Sequence, residues 1–425
     1  MERAARIPRN DPGIALKLGL TGGAGAGKST AAAIWRDCGA QVVDADHLAR
    51  QVLAPGSDGL AQVIAAFGPG VLAKTGELDR AALAEIVFAG KDSARARAKL
   101  EAITHPRIAA LTAAQFGAAA PGNVVVHDIP LLVERVDPAT YHLVVVVAAP
   151  LEARLKRLGA RGLVQADAAA RIAGQASDAE RARVADVVLT NAGARAELAE
   201  QAVELWEHRL LPFATNLLLA RKAELGIPRL APPDPSWAVA AQRCIARLRR
   251  WLGELLVDAE HIGSTSVSGL AAKPILDLQV GLRSLKHLER VSALLPRAGF
   301  VGVPSVVSDE IHPIPGDSAS QTTLAWAKGL AGSADPGCLA NLHLRVSGSA
   351  GWLLALQMRD RLRADADFRE NYAALKHEVA ARGYRSTADY AVAKEPWVAE
   401  QVPAIRQWAR RTGWTVPGPS SKMGL

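Results

Sequence analysis

Five short runs of nearly unbroken apolar residues punctuate the first two hundred positions: ALKLGL (15–20), AQVVDAD (40–46), NVVVHDI (123–129), YHLVVVVAA (141–149) and ADVVLTN (185–191). Each has the length of a strand. Between them lie Ala- and Leu-rich stretches with helical spacing, such as RAALAEIVF (80–88) and SARARAKLEAITHPRIAALTAAQF (93–116). Strands that are apolar on both faces and alternate with helices predict a parallel sheet covered on both sides. A helical pattern, QAVELWEHRLLPFATNLLLARKAELG, then runs from 201 to 226, and IPRLAPPDPSW follows with Pro232, Pro233 and Pro235 close together, the strongest linker signal in the chain. Beyond it the pattern changes to a helix, a glycine turn, a strand and further helices. The expected organisation is an extension at 1–13, an α/β unit at 14–215, a linker at 216–235, an α+β unit at 236–415 and a tail at 416–425.

The first apolar run leads directly into TGGAGAGKST, where Gly22 to Ser29 fits G-x-x-x-x-G-K-[ST]. The following STAAAIWRDCG reads as a helix closed by Gly39. A strand, a glycine loop and a helix start form a phosphate cradle. Backbone N–H groups of Gly22, Gly23, Gly25, Ala26 and Gly27 turn inward around oxygens, and the helix N-terminus, with Thr30, adds its partial positive charge. Lys28 is spaced to reach the β- and γ-phosphates, and the Ser29 hydroxyl to bind Mg²⁺. The ligand predicted is a nucleoside triphosphate such as ATP, on a P-loop kinase or NTPase core with a parallel sheet.

A kinase also needs a carboxylate for the metal, a proton acceptor for the attacking hydroxyl, and positive charge over the transferring phosphoryl. VVDADHLAR supplies Asp44 and Asp46 at the end of the second strand, which in a parallel sheet opens onto the same crevice as the P-loop. Asp46 is a candidate to receive the proton; either carboxylate could hold Mg²⁺ through water, and either could instead cap the next helix. NVVVHDIPLLVE ends a strand at Asp128, in the manner of a Walker-B carboxylate, and then offers Leu131, Leu132 and Glu134 as pocket lining. EARLKRLGARGL brings Arg154, Arg157 and Arg161 together, with Arg171 after them, on a stretch suited to a helical lid that closes over the triphosphate. Arg154 is the candidate for transition-state charge, Arg157 for the nucleotide and Arg161 for the acceptor. THP (104–106) either offers His105 to a substrate phosphate or ends a helix.

Composition narrows the field. The chain has 425 residues, 49% hydrophobic and 22% charged, a globular balance and enough length for two or three domains. No apolar run approaches the roughly 18 residues of a membrane span, and MERAARIPRN lacks the apolar core of a secretory signal. Cys38, Cys244 and Cys338 are far apart in sequence, which favours a reducing, cytoplasmic setting without disulfides or zinc. The 50 basic against 42 acidic residues give +8, spread along the chain without an RNP motif, a zinc finger or a basic–aromatic block. Small anionic substrates are expected as partners, with neither nucleic acid nor membrane; a homo-oligomer stays open. A switch ATPase or GTPase is the alternative, but the N-K-x-D signature of guanine selection is missing.

GLTGGAGAGKST, VVDADHLARQVLAPG, LEAITHP, HDIPLLVE, RLKRL and RIAGQASDAERARVADVVLTNAG occur together and in order. Over about residues 15–215 the chain resembles the dephospho-CoA kinase family. The resemblance implies ATP-dependent phosphorylation of the ribose 3′-hydroxyl of 3′-dephospho-CoA. It places the family's base on Asp46, its lid arginine on Arg154, and the adenine near Asn191.

In the second half, AEHIGSTSVSGLAAKPILDLQV (259–280) sets Gly263-Ser264 ahead of Asp277, a pattern reminiscent of nucleotidyltransferases, whose paired carboxylates hold two metals. Here Gln279 stands where the second carboxylate is needed, which puts two-metal chemistry in doubt. IGSTSVSGL, KPILDLQV, NLHLRVSG, RDRLRADADFRENYAALK and YAVAKEPW together resemble the GrpB-like family, which implies a nucleotidyltransferase-like α+β fold over about 230–412. Ser264, Lys273, Asp277, His343, Arg345 and Lys394 are candidates for an anion pocket there, in a domain expected to bind or to assist folding rather than to catalyse.

Overall fold

The computed structural model describes residues 14–89, 92–312 and 326–418. The extension at 1–13 and the end of the tail, 419–425, lie outside the described residues. The chain divides into two compact units. One comprises Lys17–Val136 and Leu143–Val203; the other comprises Asp137–His142 and the chain from Glu204 onward, with residues 14–16.

The first unit is built on strands β1 (Leu16–Thr21), β2 (Gln41–Asp44), β3 (Val124–Asp128), β4 (Leu143–Ala148) and β5 (Val187–Thr190), in the order β2-β3-β1-β4-β5. The pairs β1–β4, β4–β5 and β2–β3 are parallel. All five strands coincide with the apolar runs; the central β3, β1 and β4 are buried along nearly their whole length, as a sheet covered on both faces requires, while the edge strands β2 and β5 bury one residue each. Leu16, Leu18 and Leu20 of β1 and Leu143, Val144 and Val145 of β4 are wholly buried. The helix after the glycine loop, Lys28–Asp37, buries Trp35, whose indole Nε1 donates to the Ala202 carbonyl at 2.9 Å.

Two helices differ from the expected pattern. RAALAEIVF is an α-helix only over Arg80–Ala84 and widens into a π-turn at Glu85–Ala89. The helix Ser93–Ala118 runs straight through Pro106, so THP does not end it; the ring removes one backbone donor, and the rest of a long helix outweighs that loss.

The second unit carries a mixed sheet of β6 (Leu256–Ile262), β7 (Leu276–Leu282), β8 (Phe300–Gly302), β9 (Lys328–Ser333) and β10 (Ala340–Val346), ordered β6-β7-β10-β9-β8. Among the described residues β7 and β10 pair in parallel, whereas β6–β7, β9–β10 and β8–β9 are antiparallel. The helix Ser236–Leu252 packs Ala241, Leu248 and Leu252 against Leu278, Val280 and Leu342 of the sheet. A second cluster joins Trp326, just ahead of β9, to Leu354 and Leu362, Phe368 and Tyr372, and Ile405 of the C-terminal helices Ala350–Ala364, Ala366–Ala381 and Glu395–Thr412.

The helical pattern drawn to Gly226 stops at Leu218 instead. Ala220 takes a left-handed conformation (φ 47°) and Arg221 N–H closes onto the Asn216 carbonyl at 2.8 Å, a helix-terminating arrangement that no glycine announces. The chain then lies along the second unit: Ala223 N–H donates to Ser333 O at 2.8 Å, and Ala231 exchanges both backbone bonds with Ala272 at 2.8 and 3.1 Å. The thiols of Cys244 and Cys338, remote in sequence, stand 3.9 Å apart. No helix among the described residues is long and apolar enough to cross a membrane.

Candidate functional site

The glycine loop emerges from β1 into the start of the helix Lys28–Asp37, with Gly27 left-handed at φ 108°. Two glycines are dictated by what crowds them: a Cβ on Gly23 would collide with the guanidinium of Arg154, and one on Gly27 with the side-chain amide of Asn191. Lys28 folds back so that its Nζ donates to Gly22 O at 3.0 Å. Burial lowers its pKa, opposed by the charge of Asp128. Ser29 is exposed in the first helical turn, with Thr30 behind it bonded to Gly27 O at 3.0 Å.

Helices Leu151–Gly159, Gln165–Ala173 and Asp178–Val184 follow β4 and wrap this loop. Arg154, only 4% exposed, donates from Nε to Ala24 O at 3.0 Å and reaches Asp178 from Nη1 at 3.4 Å. Its Nη2 is buried without a hydrogen-bond partner among the described residues. Arg157 donates twice to Asn191, to the backbone oxygen and to Oδ1, both at 3.0 Å, and Asn191 Nδ2 donates to Ala26 O at 2.7 Å. These two residues therefore brace the loop from behind. Arg161 is exposed beyond the end of its helix and joins none of these contacts among the described residues.

Sequence reasoning missed three members of the site. Gln175 Oε1 accepts from Ala24 N–H at 2.8 Å. Asp178 accepts from Arg181 at 2.9 Å as well as from Arg154. Arg181 is 2% exposed, with its Nη2 unpartnered among the described residues. The signal for this helix was present in SDAE, a capping box in which Ser177 and Glu180 bond reciprocally, and Arg181 follows it directly.

The carboxylates gather at the C-terminal ends of β2 and β3. Asp44 and Asp128 are register partners. Asp44 caps the helix Ala45–Val52 by accepting from His47 N–H at 3.0 Å, and Asp46 is exposed in that helix's first turn. Asp128 is half-buried with its Oδ1 shielded from solvent, and this burial raises its pKa to about 6 against the pull of Lys28. Its Oδ1 has no hydrogen-bond partner among the described residues. No group of three or more His, Cys, Asp or Glu is gathered for a metal among the described residues. The arrangement fits Mg²⁺ of the kind held by one or two carboxylates, waters and phosphate oxygens.

Of the remaining candidates, Glu134 Oε1 accepts from Ala176 N–H at 2.7 Å. Leu132 is wholly buried in the core and Leu131 is its exposed neighbour, so the pair divides between packing and surface. His105 is exposed on the middle of the helix Ser93–Ala118.

In the second unit, Ser264, Lys273, Asp277, His343 and Lys394 line one pocket of about 320 Å³. Asp277 Oδ1 accepts from Asn341 Nδ2 at 3.0 Å and lies 4.0 Å from His343 Nε2. Burial, with the nearby Arg345, lowers the His343 pKa to about 4. Arg345 does not line the pocket. It is tied to Asp309 through Nε at 2.7 Å and Nη2 at 2.8 Å, and its Nη1 donates to Gln279 Oε1 at 2.8 Å.

The family model for dephospho-CoA kinase matches residues 16–197, and that for GrpB protein matches residues 228–403. A dephospho-CoA kinase from Mycolicibacterium paratuberculosis is 40% identical over 408 residues, covering 94% of this chain and 99% of the relative. Its namesake from Mycobacterium leprae is 39% identical over 411 residues, covering 94% and 99%. A shorter dephospho-CoA kinase from Frankia casuarinae is 49% identical over 193 residues, covering 45% of this chain and 83% of the relative. The full-length relatives thus share both halves, in the same order. The chain belongs to the dephospho-CoA kinase family, in a two-domain form that carries a GrpB domain behind the kinase domain.

Proposed function

We propose that this chain transfers the γ-phosphoryl group of ATP to the ribose 3′-hydroxyl of 3′-dephospho-CoA, giving coenzyme A and ADP. We assign 14–215 to the kinase domain, 216–235 to a linker and 236–415 to the GrpB domain, a division supported by the family matches at 16–197 and 228–403. One observation carries the reading. On the crevice at the ends of β1 to β3, buried guanidinium nitrogens of Arg154 and Arg181 lack partners near the glycine loop, and a buried carboxylate oxygen of Asp128 lacks one too. Unpartnered buried polar atoms are costly, and a site that keeps both signs of them suits a ligand that brings phosphate oxygens and a cation.

The loop amides and Lys28 hold the β- and γ-phosphates, which need no reorganisation because Gln175, Arg157 and Asn191 already fix the loop. Arg154 directs Nη2 at the oxygen on which charge grows as the γ-phosphoryl leaves. Ser29 with Asp128, Asp44 or Asp46 would hold Mg²⁺, which when bound neutralises phosphate charge. Asp46, exposed in the first turn after β2, takes the proton of the attacking hydroxyl. Glu134, Leu131, His105 and Arg161 remain the acceptor-side candidates. The acceptor is a small molecule, and we place the reaction in the cytoplasm, where ATP and a reducing milieu suit the three thiols. Product analysis tests the assignment: incubation with ATP, Mg²⁺ and 3′-dephospho-CoA yields a product heavier by one phosphoryl group, carried on the 3′ position. Phosphate appearing elsewhere, or only as inorganic phosphate, contradicts it.

A further inference from the structure

The pocket of the GrpB domain contains more positive charge than its sequence motifs foretold. Besides Lys273 and Lys394 it is lined by Lys376, from the helix Ala366–Ala381, by Lys328, from β9, and at its half-exposed edge by Lys222, from the segment after Leu218. Lys328 donates to Asp309 Oδ1 at 2.6 Å, and Arg345 binds the same carboxylate, so the charge of Asp309 is already matched. Lys273, Lys376 and Lys394 have no such paired counterion among the described residues. Lys376 is 2% exposed and donates to the Ala271 carbonyl; Lys394 donates to Tyr372 OH at 3.3 Å. Lys273 and Lys394 sit 4.5 and 5.1 Å from the ring centroid of Tyr390. None of the three is ion-paired within the described residues; Asp277, the one carboxylate among the described lining residues, is hydrogen-bonded by Asn341, and its single charge favours the ammonium forms of Lys273 and Lys394 without matching all three.

Three ammonium groups lining one half-open pocket, with tyrosine rings and a carbonyl as their partners and one carboxylate among them, are an unfavourable arrangement unless an anion joins them. Desolvation, with repulsion from Lys394, lowers Lys273 to about 8; desolvation, then Lys394 and Lys273, lowers Lys376 to about 7. Metal-bridged binding is disfavoured by the same site. Gln279, wholly buried, stands beside Asp277 on β7 where a second carboxylate would be needed, and its oxygen is committed to Arg345. The space of about 320 Å³ suits a small molecule or the phosphate end of one.

We propose that this pocket binds a compact phosphate-bearing small molecule with two or more negative charges, gripped by Lys273, Lys376 and Lys394 without a divalent metal. Binding restores full charge to the depressed lysines and so takes up protons from solution near neutral pH.

Titration calorimetry of the full chain tests this, using inorganic tripolyphosphate as probe in the presence of EDTA. The Lys28→Ala background weakens phosphate binding at the glycine loop of the kinase domain, and the Lys273→Met/Lys394→Met variant in that background reports whatever binding the loop amides and arginines retain. One equivalent of probe is expected to bind at pH 8. Heats in two buffers of different ionisation enthalpy should report uptake of about one proton per anion. Lys273→Met and Lys394→Met should each weaken binding about tenfold or more, while Lys394→Arg largely retains it. An unchanged melting temperature shows that a variant is folded. Absence of binding at millimolar probe, binding that requires Mg²⁺, or equal binding by a folded Lys273→Met/Lys394→Met variant would overturn the proposal.

Discussion

Asp44 and Asp128 stand directly opposite one another on neighbouring parallel strands, at the ends that open onto the glycine loop. They have divided the work available there. Asp44 is exposed and spends an oxygen on the helix cap, whereas Asp128 is half-buried and keeps one shielded oxygen unpartnered among the described residues. A carboxylate held so close to another and away from water binds its proton more tightly in the folded chain than in the unfolded one.

That has a consequence for stability. Burial raises the Asp128 pKa from 3.8 to about 6, so its contribution to folding is most favourable below the unfolded value and declines as pH rises through that window. Asp128→Asn should therefore stabilise the kinase domain at pH 7.5 by about 1–3 kcal/mol, with the gain shrinking at pH 4, while turnover is lost. Denaturant midpoints at the two pH values check this. A less stable variant at pH 7.5 would contradict the assigned cost of burial.

Asp46→Asn separates chemistry from binding. Asp46 is exposed and its side chain makes no hydrogen bond among the described residues, so the fold should be unchanged and ATP binding retained. Loss of a general base predicts a fall in kcat of about 10²–10⁴-fold. Single-turnover kinetics beside an ATP-binding titration would decide it, and wild-type turnover would remove Asp46 from the mechanism.

Gly23→Ala should act through Arg154. The added methyl meets the end of a flexible side chain rather than backbone, so stability should change little. Arg154 must swing off the loop, and kcat should drop about 10–10³-fold. Gly27→Ala, at φ 108° and against Asn191, should by contrast lower the melting temperature as well. Equal behaviour of the two variants would count against this division.

Asp309 in the second unit gathers Lys328 and Arg345. Burial works to raise its carboxyl pKa, but the hydrogen bond and charge of Arg345, with Lys328, hold it well below the ordinary range. Its stabilising contribution is present above the unfolded carboxyl value and fades as pH falls below about 4. Asp309→Asn leaves two buried cations uncompensated, which predicts a loss of about 3–5 kcal/mol at neutral pH. Chemical denaturation of the two proteins at pH 7 gives the comparison; parity would mean that the cations are served elsewhere.

Much of the kinase architecture could be read before any coordinates, because its determinants are local. β1 to β5 are continuous apolar runs, the glycine loop has fixed spacing, and Asp128 closes its strand. What escaped reading depends on partners far along the chain. Arg181 and Gln175 matter only because their helices fold back onto Ala24 and Arg154. The helix end at Leu218 rests on an alanine in a glycine-like conformation. Cys244 and Cys338 meet through a helix packed on a sheet, although 94 positions separate them. In the second domain the motifs identified Ser264, Lys273, Asp277, His343 and Lys394 around one pocket. They misjudged Arg345, which does not line it, gave no hint of Lys328 on its strand, and contained Lys376 at the end of RDRLRADADFRENYAALK without marking it as a pocket residue.

The central claim is an acceptor-dependent phosphoryl transfer, and ADP release by the full chain from ATP and Mg²⁺, measured with and without 3′-dephospho-CoA, tests it most directly. The account predicts ADP formation only when 3′-dephospho-CoA is present, in step with coenzyme A. ADP formed at the same rate without the acceptor would contradict it and point to a nucleotide-hydrolysing switch built on the same glycine loop.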